Sequence, residues 1–152
     1  MKFILIFFIS LFLNFPVLAD LLKPNPNIKP KDVISIQLNA LMENNLPFQD
    51  AGIFQTWEFA HPQNRLYTGP LSNFTNMMKS NSYSLMLDHV SHNIIFVSLE
   101  KNNANYFVEL TDKIGNKFGF TWTLKKVLID GKFKDCWMTS GVSIPLSLAK
   151  SA

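Results

Sequence analysis

The strongest constraint on the fold of this chain is an alternating pattern in its C-terminal third. Large apolar side chains occupy every second position there: Phe118, Phe120, Trp122 and Leu124. Smaller or polar residues fill the positions between them. Successive side chains of a β-strand point to opposite faces of its sheet, so this period of two predicts a strand with one buried face. Trp122 is therefore expected in the core.

Three further strands are predicted around this one. They cover residues 94–99, 105–111 and 133–142, and each is rich in β-branched or aromatic side chains. Short polar segments at residues 101–103 and 114–116 predict turns, and Asp130-Gly131 is typical of a hairpin. These segments predict a four-stranded antiparallel meander. The tail, residues 143–152, is left open as a partial strand extension.

The preceding part of the chain has the periodicity of helices. Apolar residues recur at spacings of three and four between residues 31 and 45, and Gln37 lies among them, where it can point inward. A second helix is predicted from Asp50, as its cap, to Ala60, ended by Pro62. A third covers residues 71–79, and residues 84–88 add one more turn. About three helices before a sheet predict an α+β domain, with the helices packed on a curved four-stranded sheet.

The first nineteen residues have the pattern of a secretory signal peptide. Lys2 is followed by the apolar run Phe3–Leu13, then by Pro16 and by a small residue, Ala19, before a predicted cut. About eleven apolar residues are too few for a membrane span of about 20, although an uncleaved anchor stays open as an alternative. The sequence therefore predicts an exported protein, periplasmic or secreted, without a stable membrane anchor after cleavage. A Pro/Asn-rich linker, residues 20–30, would precede a single domain, residues 31–152.

Composition and charge indicate which classes of binding partner are not expected. The chain has 152 residues, of which 47% are hydrophobic and 16% charged, which is typical of one globular domain. Without Lys2, 13 basic and 11 acidic residues remain, and they form no dense basic stripe. Nucleic-acid binding is therefore not predicted. Cys136 is the single cysteine, so no internal disulfide forms; it is interpreted as a small buried residue, with a reactive thiol or an intermolecular bridge as alternatives.

Three segments carry a resemblance to a known family. They are residues 33–41 (VISIQLNAL), residues 55–65 (QTWEFAHPQNR, with Thr68-Gly69-Pro70 soon after) and residues 135–142 (DCWMTSGV). Together they resemble a family of small bacterial and plant proteins that forms a domain of unknown function. That family is similar to the cystatin-like α+β roll of nuclear transport factor 2 and ketosteroid isomerase. The resemblance implies a curved sheet wrapped around helices with a pocket between them. It implies no activity, because relatives with this roll include isomerases, dehydratases, ligand-binding proteins and dimerisation modules.

The segment from Asp88 to His92 contains a carboxylate and two imidazoles, side chains that can take part in acid–base chemistry or ligand binding. His89 or His92 could line a pocket, or Asp88 and His89 could act as an acid–base pair. The alternative is a polar loop that joins the helices to the first strand. The spacing of these three residues is short for a zinc site, and no further ligand from a distant part of the sequence presents itself, so neither a metal site nor a cofactor is predicted.

Aromatic residues and the cysteine complete the set of candidate pocket residues. The full set is Trp57, Tyr67, His89, His92, Cys136 and Trp137. Aromatic walls with a few polar groups are typical of ligand pockets, but plain core packing explains most buried aromatics. Catalysis by Cys136 would need His89 beside it. The leading hypothesis is a non-catalytic domain that binds a small apolar ligand or a protein partner, with a homodimer through the sheet as one form. The alternative is a pocket acid–base enzyme of isomerase or dehydratase type that uses Asp88 and His89.

Overall fold

Helices precede an antiparallel sheet in the computed structural model, which describes residues 20–148. The predicted signal peptide, residues 1–19, and residues 149–152 lie outside the described residues. The helices are α1 (Pro30–Met42), α2 (Ala51–Glu58), α3 (Pro62–Thr68) and α4 (Leu71–Met78), followed by a 3₁₀ turn at Ser84–Met86. The strands are β1 (Ser91–Glu100), β2 (Asn103–Thr111), β3 (Lys117–Lys126), β4 (Trp137–Val142) and β5 (Leu146–Leu148). The predicted α+β class is confirmed.

The sheet is an antiparallel meander with an additional short strand. Its order is β1-β2-β3-β4, and β5 also pairs with β3. β4 lies against the C-terminal half of β3, and β5 lies against its first residues, Lys117–Gly119. The chain after residue 142 therefore returns to the same edge of β3. The strand extension that the sequence left open is present, and the sheet has five strands.

One helix was missed because a proline was interpreted as a stop. Pro62 is the first residue of α3, where a missing N–H costs nothing since the first helical N–H groups have no intrahelical partner. His61 caps this helix, and its Nδ1 accepts the N–H of Gln63 at 3.1 Å. α2 ends at Glu58, two residues before the predicted end at Ala60, and Pro62 starts the next helix.

Two local predictions are corrected by the loops. Residues 133–135 form turns and Cys136 has no regular secondary structure, so β4 starts at Trp137 and not at Phe133. Asp50 occupies the N-cap position of α2 with a φ of 63°, but its side chain does not cap the helix. Asn44 performs that role from the preceding turn, because its Oδ1 accepts the N–H of Ile53 at 3.1 Å. The carboxylate of Asp50 instead accepts a hydrogen bond from the Asn44 amide and pairs with Lys79.

The core lies between the helices and one face of the sheet. The alternating residues Phe120, Trp122 and Leu124 are at most 1% exposed, and the pairing of β2 with β3 sets Tyr106 opposite Trp122 on the same face. α1 covers this face with a buried stripe that includes Gln37 among apolar residues. No helix within residues 20–148 has both the length and the apolar character to cross a membrane.

Candidate functional site

A cavity of about 130 Å³ lies between the helical layer and the sheet. Buried residues form its floor: Gln37, Thr56, Ala60, Phe74, Met78, Met86, Trp122 and Thr139. Half-buried residues form its rim: Asn64, Thr68, Met77, Tyr83, Gly141 and Val142. α1, α2, α3 and α4 contribute to it from one side and β3 and β4 from the other. The rim is at the surface between α3, α4 and the end of β4.

The cavity has an apolar wall without formal charge. Its largest side chains are those of Phe74, Met77, Met78, Met86 and Trp122, and no Asp, Glu, Lys or Arg is among the described residues that line it. An ion inside it would lose its hydration without gaining a counter-charge, which is strongly unfavourable. Thioether side chains adapt their shape to irregular contents. The wall therefore suits a neutral, mainly apolar molecule.

Thr139 is the centre of a hydrogen-bonded network on the cavity floor. The indole Nε1–H of Trp122 donates to Thr139 Oγ1 at 3.0 Å, and that hydroxyl donates to Gln37 Oε1 at 2.6 Å. The Gln37 amide in turn donates to the backbone carbonyl of Thr56 at 3.0 Å. No buried side-chain nitrogen or oxygen within residues 20–148 lacks a partner. The network joins α1, α2, β3 and β4, and its polar groups are occupied by one another.

The backbone of Thr139 fastens the end of α2 to the sheet. Its N–H donates to the carbonyl of Phe59 at 2.8 Å, and its carbonyl accepts the N–H of His61 at 2.8 Å. Ala60, between them, forms an isolated parallel bridge with Thr139. Two of the segments that were singled out in the sequence, residues 55–65 and 135–142, therefore meet at this point. Their unusual residues serve the floor of the cavity.

Tyr83 closes the rim over the last residue of β4. Its hydroxyl donates to the carbonyl of Val142 at 3.1 Å. Burial raises the pKa of the Tyr83 hydroxyl above its usual value, so the phenol stays neutral. Asn64 lies nearby, and its amide donates to the Thr139 carbonyl at 3.4 Å. These rim groups are donors already engaged with strand carbonyls, in keeping with the neutral interior.

The six pocket candidates from the sequence all lie away from the wall of this cavity. Trp57 is half-buried behind it and packs against Phe74 with the rings tilted by 51° and their centroids 5.1 Å apart. The guanidinium of Arg65 lies over the Trp57 ring, 4.8 Å from its centre, and donates to the Trp57 backbone carbonyl. Tyr67 is 91% exposed on α3. Trp57 thus supports the wall from outside, while Tyr67 points into solvent.

His89 and His92 form a hydrogen-bonded pair at the start of β1. His89 Nδ1 lies 2.7 Å from the Met86 carbonyl, which can only accept, so the ring proton is on Nδ1. His89 Nε2 then accepts from His92 Nδ1, 2.8 Å away. Burial lowers the pKa of His89 to about 4, outweighing the Met86 hydrogen bond and the charge of Asp88, which favour the cation. Burial also lowers the pKa of His92. Both rings are therefore neutral at pH 7.

Asp88 faces different partners from its neighbour His89. Its Oδ1 accepts the backbone N–H of Asn44 at 3.2 Å, and its Oδ2 pairs with Lys113 at 3.1 Å. Its own N–H donates to the Leu41 carbonyl at 2.7 Å. Asp88, with a φ of 54°, thus ties the end of α1 to the turn after β2. Among the described residues, no hydrogen bond joins the Asp88 carboxylate to the His89 imidazole.

Cys136 belongs to a second, smaller cluster beside the sheet, whereas Trp137 packs against the main core. Cys136 is 1% exposed and packs with Val127, Met138 and Phe133. Burial, followed by the charge of Asp135, raises the pKa of its thiol. This environment agrees with the interpretation of a small buried residue. The Lys126 ammonium lies 5.4 Å from the centre of the half-buried Trp137 ring.

Sequence reasoning missed the polar centre of the cavity but had signals for it. Gln37 was the one polar residue within the apolar stripe of α1, and Thr139 lay in the unusual Cys-Trp-Met-Thr run. Within residues 20–148, no three His, Cys, Asp or Glu side chains are grouped so that they could hold a metal ion. Comparison of the chain with models of known protein families, with curated proteins and with solved structures found no match.

Proposed function

We propose that this protein is an exported, non-catalytic domain that binds a small, neutral, apolar ligand in the cavity between its helices and its sheet. The observation that carries the proposal is the wall itself: aromatic and thioether side chains around a space whose hydrogen-bonding groups are already paired with one another. A ligand would gain apolar contacts and would find few free polar groups for chemistry. The alternative acid–base enzyme loses support because Asp88 and His89 each face other partners.

The volume sets the size of the ligand. An apolar protein cavity of about 150 Å³ stays dry and binds benzene. A space of about 130 Å³ with an open rim therefore accommodates one aromatic ring or a compact branched hydrocarbon. Typical drug-sized pockets are larger, at about 300–1,000 Å³. Extended lipids and polar cofactors are accordingly poor candidates.

The methionines provide a direct test by NMR with ¹³C-methyl-methionine. Met77, Met78 and Met86 line the cavity, while Met42 and Met138 lie outside it and serve as internal controls. Titration of the mature protein with benzene and with indole should shift the three lining methyl signals saturably. The signals of the two control methyls should move little. Shifts of equal size in all five would indicate non-specific binding and would contradict the proposal.

A matched pair of variants separates the cavity from the surface. Val142 lies on the rim, so Val142→Phe should fill the opening and abolish the methyl shifts. Val90→Phe makes the same change at a residue that is 53% exposed and should leave them intact. Native mass spectrometry of protein purified from the periplasm of an expressing bacterium should show an added mass on the parent chain and none on Val142→Phe. The same spectrum would test cleavage after Ala19.

We also infer from the residues quoted above that the fold is a cystatin-like roll. The order of helices before an antiparallel sheet, with a cavity between the layers, supports this relationship. An experimental structure would test it, because a roll requires the sheet to curve around α1. A flat sheet would contradict it.

A second candidate function, self-association, is favoured by the exposed edge strand β1. Three apolar side chains near its C-terminal end are more than half exposed: Phe96 (59%), Val97 (59%) and Leu99 (58%). Lys, Pro and β-bulges all discourage an edge strand from pairing with another chain. β1 has a register shift at Val97 but no Lys or Pro, and Glu100, at its end, is its single Asp, Glu, Lys or Arg.

A second copy of this chain is the partner that the charges fit. One end of β1 is next to Glu100 and Lys101, and the other end is next to the ion pair of Asp88 and Lys113. In antiparallel pairing of two β1 strands, Glu100 and Lys101 of one copy would lie near Asp88 and Lys113 of the other, so each carboxylate could face an ammonium group. Parallel pairing would set Glu100 against Glu100, which is unfavourable.

Sedimentation velocity tests this second candidate. Val97 is the residue at which the β1–β2 register shifts, so Val97→Lys adds a charge to the edge with little effect on pairing within the sheet. Val97→Lys should convert a dimer to a monomer. The control, Leu66→Lys, changes a residue that is 83% exposed on α3 and should not affect association. A parent protein that is monomeric at about 100 µM would contradict self-association at any useful affinity, because an affinity weaker than that corresponds to less than about 6 kcal/mol.

A further inference from the structure

A second cleft, of about 280 Å³, lies on the other side of the segment that fastens α2 to β4. Ala60 faces the apolar cavity, whereas the next residue, His61, lines this cleft. The opposite wall comes from the β1–β2 turn, with Asn102 and Asn103, and from the end of β3, with Lys125 and Lys126. The two sites are separate in composition: the first has no formally charged residue, and the second is basic.

His61 presents a hydrogen-bond donor to this cleft. His61 as a whole residue is 6% exposed, and its Nδ1 accepts the backbone N–H of Gln63 at 3.1 Å. An accepting Nδ1 carries no proton in the neutral ring, so the proton is on Nε2. Nε2 has no hydrogen-bond partner within residues 20–148, and since no fully buried polar atom is left unpaired there, Nε2 reaches the surface of the cleft. A buried ring is thus fixed by one nitrogen and offers the other to a ligand.

The charge of the cleft determines what that ligand can be. Lys125 and Lys126 line it, and no Asp or Glu does so among the described residues. The Lys126 ammonium nitrogen also lies 5.4 Å from the centre of the Trp137 ring, a cation–π contact. Burial, and then the charge of Lys125, lowers the pKa of His61, so its ring is a neutral donor at pH 7. Two cations, a fixed N–H and three side-chain amides form a set that favours an anion.

The third wall of the cleft is apolar. Val127, Leu128 and Ile129 follow β3, and the last two are 61% and 69% exposed. A bare phosphate ion would leave this wall and much of the 280 Å³ unused. An organic group attached to the phosphate would cover it.

We propose that this cleft binds a phosphate monoester, with the phosphoryl oxygens between His61 Nε2, Lys125 and Lys126 and the organic part against Leu128 and Ile129. The proposal does not depend on the ligand of the apolar cavity, because the two sites share no lining residue. Phosphate oxygens accept several hydrogen bonds from cationic donors at once, which matches this arrangement.

The test uses phenyl phosphate and inorganic phosphate as probes at pH 7.5 and constant ionic strength. Binding is followed by the fluorescence of Trp137, beside Lys126, and by the ¹³C–¹H NMR signal of His61. Phenyl phosphate should bind saturably and about tenfold more tightly than inorganic phosphate, since burial of one ring surface contributes about 1.5 kcal/mol or more. Equal affinities for phenyl phosphate and inorganic phosphate would overturn the proposal of a phosphate monoester and would indicate free phosphate as the ligand. A response reproduced by NaCl alone would overturn the site.

Charge-matched variants locate the binding. Lys125→Gln/Lys126→Gln should weaken phenyl phosphate binding more than about tenfold, because each charge-assisted hydrogen bond contributes about 1.5–3 kcal/mol. Lys29→Gln/Lys31→Gln removes the same charge from the start of α1 and should change the affinity less than about twofold. His61→Asn retains an oxygen that can cap α3 but lacks Nε2, so it should weaken binding without lowering the thermal midpoint. Unchanged affinity in the first variant would overturn the proposal.

Discussion

Replacement of Thr139 by valine tests whether the buried network holds the cavity floor. Valine has nearly the same shape as threonine but cannot accept from Trp122 Nε1 or donate to Gln37 Oε1. Each partner would remain buried without a hydrogen bond, at a cost of about 1–3 kcal/mol per group. Because both groups lie on the cavity wall, a water molecule entering there could satisfy one of them. We therefore expect the free energy of unfolding to fall by about 2–4 kcal/mol.

Urea denaturation at pH 7 measures this change, with Thr139→Ser as the matched control. Serine retains the hydroxyl and loses one methyl group, which costs about 1 kcal/mol. The denaturant slope should stay constant in both variants, so that the midpoint reports stability. Hydrogen exchange at the indole N–H of Trp122 should accelerate in Thr139→Val and change little in Thr139→Ser.

The order of the two variants decides the result. If Thr139→Val is as stable as Thr139→Ser or more stable, the hydroxyl contributes less than one methyl group. The network would then be a consequence of packing and not a cause of stability. Gln37→Leu should also lower the free energy of unfolding, because the Thr139 hydroxyl loses its acceptor. A double variant should lose less than the sum of the two single losses, since both remove one shared hydrogen bond.

Three further predictions address packing, pH and the thiol. A Cβ on Gly52 would lie 2.3 Å from the backbone oxygen of Ala40, so Gly52→Ala should lower the free energy of unfolding, measured in urea, by about 3 kcal/mol. The control, Gly141→Ala, should change it by less than about 1 kcal/mol, because a Cβ there has no atom within 4 Å and Gly141 has no positive φ. The pKa of His89, lowered from 6.5 to about 4 in the folded state, means that its contribution to stability is complete above pH 6.5 and is lost as pH falls to 4. The loss should reach about 3 kcal/mol, and His89→Asn should flatten the profile; a flat parent profile would contradict the burial of a neutral ring. Cys136, buried and with a raised pKa, should react with a thiol reagent only in denaturant; rapid labelling of the native protein would refute this.

Local sequence patterns predicted the elements that a single segment decides. The alternation from Phe118 to Leu124 gave β3, and the apolar stripe of α1 placed its buried face, because side-chain periodicity depends on the backbone geometry of one element. The predictions were wrong where one residue type is compatible with two local structures. Pro62 was taken as a helix end and is also a helix start, and Asp50 was taken as a cap whose role Asn44 performs.

The sequence by itself determined the fold class, the order of helices before strands and the burial of Trp122 and Cys136. These follow from hydrophobic periodicity and composition, which each segment carries alone. Only the tertiary structure decided the cavity, because Gln37 and Thr139 are 102 residues apart and meet only when α1 packs on β4. The same holds for the basic cleft, in which His61 lies with Lys125 and Lys126 although more than 60 positions separate them. Long-range pairing of this kind leaves no periodic signal in the sequence, since it depends on which faces the packed layers bring together.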